Sequence, residues 1–201
     1  CEFVMPTDRE ADIATYYGEQ HIQYTPFASI SETFAMNSAV CISPSKAFNI
    51  AGLQIANIIV KDKNTRQHID KAININEVCD VNPFGVIALQ AAYTTEGEAW
   101  LTQLCHYIHE NYLMARQMFE EAFPHCPVTT LEGTYLMWVN IKATGKTSKQ
   151  LTNHLLRHAK VFVNPGTLYG ETDGEGNIRI NLATRRSLLH EGIRRIIDTL
   201  T

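Results

Sequence analysis

Two apolar runs in the first half of the chain predict buried strands. A-V-C-I spans 39–42 and L-Q-I-A-N-I-I-V spans 53–60, and both are rich in branched residues. Short apolar runs with little polar alternation are typical of strands that are covered on both faces. Ahead of the first run, Ser29 and Glu32 have the spacing of a capping box, which predicts a short helix near 30–36.

A helical pattern follows from residue 82 onward. Asn82 and Pro83 suit the start of a helix that runs to about residue 94, because proline is tolerated in a first turn. After Gly97, apolar residues recur at helical spacing until Pro124, namely Trp100, Leu104, Ile108, Tyr112, Ala115, Phe119 and Ala122. We predict one long amphipathic helix that leads from one domain into the next.

The last third of the chain alternates strands and helices, which predicts a small mixed domain. The predicted order is a strand at 134–140, a helix at 147–159 capped by Thr147 or Ser148, a strand at 160–164, a strand at 177–183 and a terminal helix at 187–200. Residues 164–177 contain four glycines and predict a loop. Near the start of the chain, residues 7–20 are polar and predict a surface excursion.

Composition and charge narrow the classes of protein. The chain has 201 residues, of which 45% are hydrophobic, and its formal net charge is −4. A negative net charge argues against nucleic acid as a partner. No apolar run in the sequence is long enough to cross a bilayer. Five scattered cysteines without a C-x-x-C motif predict reduced, buried thiols and a cytoplasmic location. Because the sequence opens on Cys1 rather than methionine, we expect a segment of a longer protein.

Lys46 lies alone among small and apolar residues between the two predicted strands. Burying a lysine without an acidic partner is costly, so either its ammonium reaches water or its amine serves chemistry. An arbitrary turn lysine is usually a surface residue. This one, however, lies in a turn at the end of a strand, which is where sheet enzymes tend to bind ligands.

The segment around Lys46 resembles the cofactor-binding segment of fold-type I pyridoxal-phosphate (PLP) enzymes. It reads S-P-S-K-A-F-N-I-A-G-L-Q from Ser43 to Gln54. Other segments are similar to the MalY/PatB-type cystathionine β-lyases, or C–S lyases, of the class I/II aminotransferase superfamily. They are Y-T-P-F-A-S at 24–29, N-P-F-G-V-I-A-L-Q-A-A-Y-T-T-E-G-E-A-W-L at 82–101, E-G-T-Y-L-M-W at 132–138, V-N-P-G at 163–166, Y-G at 169–170 and I-R-I-N-L-A at 178–183.

The resemblance implies an α/β fold class, specifically the C-terminal part of the PLP-dependent transferase fold. Residues 1–95 are expected to form the C-terminal part of the large cofactor domain. Residues 96–201 are expected to form a linking helix and the small α+β domain. The resemblance also places further cofactor contacts before Cys1, including an aspartate on the ring nitrogen. We therefore expect the chain by itself to be inactive, or nearly so.

The same resemblance assigns roles to four side chains. Lys46 would bind PLP covalently as a Schiff base and then take the α-proton of the substrate. Ser43, with Ser45 as a second candidate, would contact the cofactor phosphate. Arg179 would hold the substrate α-carboxylate by a two-point contact. The ordinary alternative for Arg179 is a strand-edge arginine that is paired on the surface.

Two positions depart from the pattern of the wider superfamily. Many aminotransferases carry an arginine or lysine eight residues after the Schiff-base lysine, where this chain has Gln54. A neutral residue is usual there in the lyase-like branch, so the departure favours a lyase. Arg185 stands where relatives usually carry proline, and we predict that Arg185 and Arg186 are surface residues at a helix start.

The implied function is a PLP-dependent C–S β-lyase that cleaves cystathionine or a cysteine S-conjugate to a thiol, pyruvate and ammonia. An aminotransferase is the first alternative. A protein-binding regulatory module is the second, although the presence of Lys46 and Arg179 argues against a purely non-catalytic role. The full-length enzyme is expected to be a homodimer that binds a small amino-acid substrate, without nucleic-acid or membrane partners.

Other candidate sites in the sequence are weak. The pairs His106/His109 and His154/His158 have helical spacing, but neither has an evident third ligand, so we predict no metal site. Residues 145–147 read G-K-T but lack the earlier glycine of a phosphate-binding loop. Residues 173–176 lack the ligand ladder of a calcium loop and predict a turn.

Overall fold

The structure is a computed structural model that describes residues 25–201. Within this range the chain divides into two compact units, 25–104 and 105–201, and the division falls inside the long helix. The boundary at residues 95 and 96 stays a prediction. Cys1 and the polar stretch 7–20, with their predicted roles, lie outside the described residues.

The first unit contains a two-stranded antiparallel sheet and three helices before the long helix begins. Its elements are α1 (Glu32–Met36), β1 (Ala39–Ile42), β2 (Asn57–Val60), α2 (Lys63–Ile75) and α3 (Pro83–Ala92), with short 3-10 turns at Phe27–Ser29 and Ala51–Leu53. In the β1–β2 pair, Ala39 lies opposite Val60 and Ile42 lies opposite Asn57. The predicted strand at 39–42 is confirmed, and the second strand is shorter than predicted.

The prediction that both strands are covered on both faces is wrong for this chain. Of the two strands, only Val60 is buried. The apolar side chains of Ile42, Ile58 and Ile59 are exposed, because each strand of the described chain pairs only with the other. A two-stranded ribbon has no layer of its own to cover its faces.

The start of α1 also differs from the prediction. Ser31, not Ser29, is the N-cap, and its hydroxyl accepts a hydrogen bond from the Phe34 backbone N–H. Ser29 lies in the preceding 3-10 turn, where its hydroxyl donates to the Pro26 carbonyl at 2.7 Å. No capping box therefore forms at Ser29, and Glu32 is instead ion-paired with Lys61.

Helix α2 was not anticipated, whereas α3 was. None of the residues of α2 is buried, but Ile69, Ala72 and Ile73 recur at helical spacing in its sequence, so a periodic signal was present and was overlooked. Its start is marked by Asp62, whose carboxylate accepts the Thr65 N–H at 2.7 Å, and this bond lowers the pKa of Asp62. In α3, Asn82 caps the helix and Pro83 occupies the first turn, as predicted.

The long helix α4 (Thr95–Ala122) leads from the first unit into the second. It begins slightly before the predicted start, where the Thr94 hydroxyl accepts the Gly97 N–H at 3.1 Å. It ends just before Pro124, as predicted. No helix within residues 25–201 is long and apolar enough to cross a membrane.

The second unit is a three-stranded antiparallel sheet with helices. Its elements are β3 (Leu136–Asn140), α5 (Ser148–His158), β4 (Asn164–Pro165), β5 (Asn177–Asn181) and α6 (Arg186–Leu200), with 3-10 turns at Lys142–Thr144 and Gly166–Leu168. The strand order is β3-β5-β4, so β5 is central. Thr147 caps α5 in a full capping box with Gln150, which confirms one of the two predicted caps.

Two predicted elements of the second unit need correction. The strand at 160–164 is wrong, because only Asn164 and Pro165 pair with β5. The chain leaves α5 through Lys160, whose φ of +56° is left-handed and breaks the extended run. The glycine-rich stretch 164–177 is not a bare loop, since it contains β4 and a 3-10 turn.

The core of the second unit lies on one face of the sheet. Side chains alternate along β3 and β5, so that Met137, Val139, Ile178 and Ile180 are buried, whereas their neighbours are half-buried or, at Asn181, exposed. Helices α4, α5 and α6 contribute Phe119, Leu151, Leu155, Leu189, Ile193 and Ile196 to the buried set. The other face of the sheet consequently presents the alternate residues, including Trp138 and Arg179.

The prediction of buried thiols is only half right. Cys105 and Cys126 are buried, whereas Cys41 and Cys79 are exposed. None of these four forms a disulfide. Burial raises the pKa of the Cys105 thiol to about 12, which keeps it protonated and unreactive.

Candidate functional site

Lys46 lies in a turn that directly follows β1, as predicted. Its side chain is exposed, and within residues 25–201 its amine makes no hydrogen bond or ion pair. The backbone around it is regular: the Phe48 N–H donates to the Pro44 carbonyl at 2.9 Å and the Ile50 N–H donates to the Ser45 carbonyl at 3.0 Å. Among residues 25–201 the ammonium thus reaches water, from a turn whose backbone is well hydrogen-bonded.

Two serine hydroxyls close the base of this turn. The Ser43 hydroxyl donates to the Ile55 carbonyl at 2.7 Å and lies 2.6 Å from the Ser45 hydroxyl. A hydroxyl has one proton, and a carbonyl can only accept, so the Ser45 hydroxyl must donate to Ser43. Both protons are thus used within the turn. An anion at this position would have to compete with the bond from Ser45 to Ser43.

An aromatic cluster supports the turn from the first unit. The Phe48 ring stacks on Trp100 with ring centroids 5.7 Å apart, and it meets Tyr93 edge-on at 6.4 Å. Tyr93 ends α3 and Trp100 lies in the first turns of α4. Phe48 is two residues from Lys46, so these contacts restrict the movement of the turn that carries the amine. The aromatic residues were visible in the sequence, but their long-range pairing was not.

Helix α3 supports the far end of the same turn. A Cβ on Gly85 would lie 2.9 Å from the Leu53 carbonyl oxygen, so the helix packs against the backbone there. The Asn82 side chain donates to the same carbonyl at 3.4 Å. Asn49 and Gln54 are held at φ of +54° and +50°, which is uncommon for residues other than glycine. Such backbone persists where the surroundings hold it in place.

Arg179 lies on β5, the central strand of the second unit. It is paired directly opposite Trp138 of β3 and Asn164 of β4. The alternative of a strand-edge arginine with a surface partner is therefore wrong. Arg179 is half-buried, and no carboxylate within residues 25–201 pairs with it.

Tyr169 covers one face of the Arg179 guanidinium. The guanidinium carbon lies 3.8 Å from the ring centroid, within the range of a cation–π contact. The Tyr169 ring also meets Trp138 edge-on, with centroids 5.5 Å apart. Its hydroxyl accepts a hydrogen bond from the Asn164 side-chain amide at 3.1 Å. A guanidinium whose flat face is stacked still has in-plane N–H groups that suit a carboxylate.

The residues after β5 are tied to α4 by a buried asparagine. Asn111 is fully buried, and its amide nitrogen donates to the Leu182 carbonyl at 2.9 Å and the Thr184 carbonyl at 3.1 Å. Its amide oxygen accepts the Nε–H of Arg186 at 3.0 Å. Asn111 was not predicted, because its only signal in the sequence is a polar residue inside an apolar helical pattern.

Arg185 and Arg186 behave differently from each other. Arg185 is an exposed residue at the start of α6, as predicted. Arg186 is half-buried and forms an ion pair with Glu110, and its backbone N–H donates to the Tyr107 hydroxyl at 2.8 Å. Arg186 begins α6, as predicted, and its side chain is 42% exposed, but its bonds to Glu110 and Asn111 also join α6 to α4.

The histidine pairs form no larger cluster. The rings of His154 and His158 are 4.5 Å apart on α5. Burial, followed by the nearby His106, lowers the pKa of His109. Over residues 25–201, no group of three or more His, Cys, Asp or Glu side chains could hold a metal ion.

Comparison with known proteins identifies the family. Residues 13–196 match the family model for aminotransferase class I and II. The chain belongs to this family. It is 38% identical over 185 residues to cystathionine β-lyase PatB of Bacillus subtilis. The matched region covers 92% of this chain and 46% of PatB. The chain thus spans about half the length of the curated relatives it matches.

Solved structures of the same family share the fold. A candidate aminotransferase from Clostridium difficile 630, crystallised with PLP bound, superimposes with a TM-score of 0.85 at 34% identity, covering 94% of this chain and 49% of that one. Cystalysin from Treponema denticola, which contains PLP, superimposes with a TM-score of 0.78 at 30% identity, covering 89% of this chain and 45% of cystalysin. These likenesses confirm the predicted fold class and family.

Proposed function

We propose that this chain forms part of a PLP-dependent C–S β-lyase that acts on cystathionine or a similar cysteine S-conjugate. The observation that carries the proposal is the Lys46 amine, which has no partner within residues 25–201 and lies on a well-bonded turn at the end of a strand. The 38% identity to PatB favours the lyase reaction. The proposal also includes a cytoplasmic location, an amino-acid substrate and a homodimer of the full-length enzyme.

The residues of the turn fit PLP. Lys46 would hold the cofactor covalently through its amine, which has no ion-pair partner to give up within residues 25–201. Ser43 and Ser45 offer hydroxyls near the same turn for a phosphate. When bound, PLP supplies an electron sink for the carbon that loses its proton.

Lys46 also serves as the base in this proposal. With an amino-acid substrate bound, the Nζ atom of Lys46 would accept the α-proton. The rigid turn limits the positions that Nζ can reach, since Phe48 and the Ser43–Ile55 bond hold it on two sides. Restricting the base in this way lowers the entropy cost of proton transfer.

Ser43 and Ser45 would share the phosphate contact unequally. Ser43 is needed to hold the Ile55 carbonyl, whereas the Ser45 hydroxyl donates only to Ser43. We expect Ser45 to turn its proton to the phosphate, with Ser43 keeping the turn closed. Gln54 brings no positive charge, so other groups must balance the phosphate charge.

Arg179 would bind the substrate α-carboxylate. Its guanidinium has no carboxylate partner in the described chain, and one of its faces is covered by Tyr169. A two-point contact would fix the orientation of the Cα–H bond and select that bond for cleavage. Loss of the α-proton and departure of a thiolate from Cβ, followed by uptake of one water, give thiol, pyruvate and ammonia.

The experiment that tests the proposal uses the full-length protein with cystathionine. We expect thiol and pyruvate in equal amounts, and a loss of at least about 10³-fold in rate for Lys46→Ala. Lys61→Ala is the matched control, since Lys61 is an exposed lysine paired with Glu32 and should leave the rate unchanged. A Lys46→Ala enzyme that keeps its rate would overturn the role of Lys46.

The same incubation distinguishes a lyase from an aminotransferase. The aminotransferase is the alternative, since the similar C. difficile protein is named as one. Both reactions begin with loss of the α-proton, but an aminotransferase returns a proton to the cofactor carbon and passes the amino group to a 2-oxo acid. Amino transfer without release of thiol would replace the lyase proposal and leave Lys46 and Arg179 in place.

A further inference from the structure

We propose that Tyr169 is a positioning residue for Arg179, and that the stack of its ring on the guanidinium sets the affinity for the carboxylate of an amino acid. The inference rests on the proposed role of Arg179 as the carboxylate-binding group. It adds a residue for which no role is otherwise assigned, and the role follows from contacts within the second unit alone.

The sheet register brings the relevant groups into one row. Trp138, Arg179 and Asn164 lie directly opposite one another across β3, β5 and β4. Their neighbours Met137, Val139, Ile178 and Ile180 face the core. Arg179 therefore projects from the face of the sheet away from the core, where a long side chain has many conformations unless something holds it.

Tyr169 is the group that holds it. The ring lies 3.8 Å from the guanidinium carbon and takes up one of its two flat faces. Stacking leaves the edge of the guanidinium, with its N–H donors, for a planar anion. Without the ring, Arg179 must lose more conformational freedom each time a carboxylate binds, so binding becomes weaker.

Tyr169 is itself fixed from three directions. Asn164 donates to its hydroxyl at 3.1 Å, Trp138 packs against its ring, and its backbone N–H donates to the Gly166 carbonyl at 2.9 Å. Gly166 in turn packs against Gly174 so closely that a Cβ on Gly166 would lie 2.2 Å from the Gly174 oxygen. A ring held in this way can restrict a guanidinium.

The test compares two probes that differ by one carboxylate. Glycine is methylamine with a carboxylate added, and neither carries a leaving group at Cβ. Binding of each to the full-length, PLP-loaded enzyme is followed by the absorbance of the cofactor. We expect Tyr169→Leu to weaken glycine binding by about five-fold to thirty-fold, and to change methylamine binding by less than about two-fold.

Two further variants control for structure. Tyr169→Phe keeps the ring and loses only the bond from Asn164, so its effect on glycine should be about three-fold or less. Phe162→Leu removes an aromatic ring that is 75% exposed in the same unit, and it should change neither probe. Thermal melting followed by circular dichroism confirms that each variant is folded. If Tyr169→Leu fails to fold, Tyr169→Phe still tests the inference, because it keeps the ring. A large loss of glycine affinity in the folded Tyr169→Phe variant would overturn the role of the stack.

The outcomes separate the inference from the function beneath it. Equal weakening of glycine and methylamine by Tyr169→Leu, or no weakening of either, overturns the role of Tyr169. Arg179→Lys is measured alongside. If the preference for glycine over methylamine survives Arg179→Lys, the carboxylate role of Arg179 is overturned. If the preference is lost in Arg179→Lys but kept in Tyr169→Leu, only the role of Tyr169 is overturned.

Discussion

The two units of this chain bury their strands to very different extents. In the first, β1 and β2 pair only with each other among residues 25–104, and Ile58 and Ile59 are exposed. In the second, β5 lies between two partners, and Ile178 and Ile180 are buried in a core with three helices. Both units contain strands of similar apolar character. The apolar sequence of a strand thus indicates that the strand can be covered on both faces. Whether it is covered depends on the other elements of the chain that pack against it.

The two predicted site groups are held in correspondingly different ways. The Lys46 turn relies on a few separate contacts: the Ser43–Ile55 bond, the stack of Phe48 on Trp100 and the approach of Gly85 to the Leu53 carbonyl. Arg179 is held by its place in a sheet with a closed core. We expect the stability of the second unit to depend on its core, and that of the lysine turn to depend on a few named contacts.

The largest expected effect on stability compares a buried position in the second unit with an exposed strand position in the first. Leu155→Ala empties a fully buried position in α5 and should lower the free energy of unfolding by about 2–5 kcal/mol. Ile59→Ala, at a position that is 54% exposed in β2, is the matched control and should cost less than about 1 kcal/mol. Urea unfolding measures both. Equal losses would mean that the two units do not differ in the way their exposure indicates.

A smaller effect is expected at the lysine turn. Phe48→Leu removes the stack with Trp100 and the edge contact with Tyr93, which should cost about 1 kcal/mol. We expect native-state hydrogen exchange of the Ile50 amide to become about five-fold faster, since its bond to Ser45 closes the turn. Phe84→Leu, at an exposed ring in the same unit, is the control. Unchanged exchange at Ile50 would show that the aromatic cluster does not restrain the turn.

The smallest effect concerns pH and the second unit. Hydrogen bonds from the backbone N–H groups of Ser148 and Gly176 lower the pKa of Glu175 from its ordinary value of 4.5. A lowered pKa in the folded state means that this contribution to stability is present above about pH 4.5 and is lost as pH falls through the folded-state pKa. Glu175→Gln should therefore lower the melting temperature at neutral pH and narrow its difference from wild type in acid.

Glu171→Gln, a change of the same kind at an exposed residue of the same loop, is the matched control for this pH series. It should leave the dependence of the melting temperature on pH close to that of the wild type. A Glu175→Gln variant with a constant offset from wild type at every pH would contradict the assignment.

Local signals predicted most of the elements, and the failures have physical causes. Caps at Asn82 and Thr147 marked two helix starts correctly, because capping depends on residues that are close in sequence. Helix α2 was missed although the sequence carries two usable signals, Asp62 as a cap and the helical spacing of Ile69, Ala72 and Ile73. The strand expected at 160–164 failed at Lys160, where the left-handed backbone that follows a helix was not recognised.

The candidate site residues could be predicted from the sequence, but the residues that hold them in place could not. Lys46, Ser43, Ser45 and Arg179 stand within recognisable sequence segments. Tyr169 depends on the packing of a loop against a strand across the sheet, and such a contact between distant residues leaves no periodic trace. Asn111 likewise satisfies carbonyls some seventy residues away, at Leu182 and Thr184. Supports of this kind become visible only when the register of the sheet is known.

The positions of the two tryptophans have a practical consequence. The chain has two tryptophans, Trp100 and Trp138. Trp100 stacks on Phe48 beside the lysine turn, and Trp138 meets Tyr169 beside the Arg179 guanidinium. Each unit therefore carries one tryptophan next to its own candidate site residue. Replacing either indole with phenylalanine would leave an emission signal that reports on the other region alone, without any attached dye.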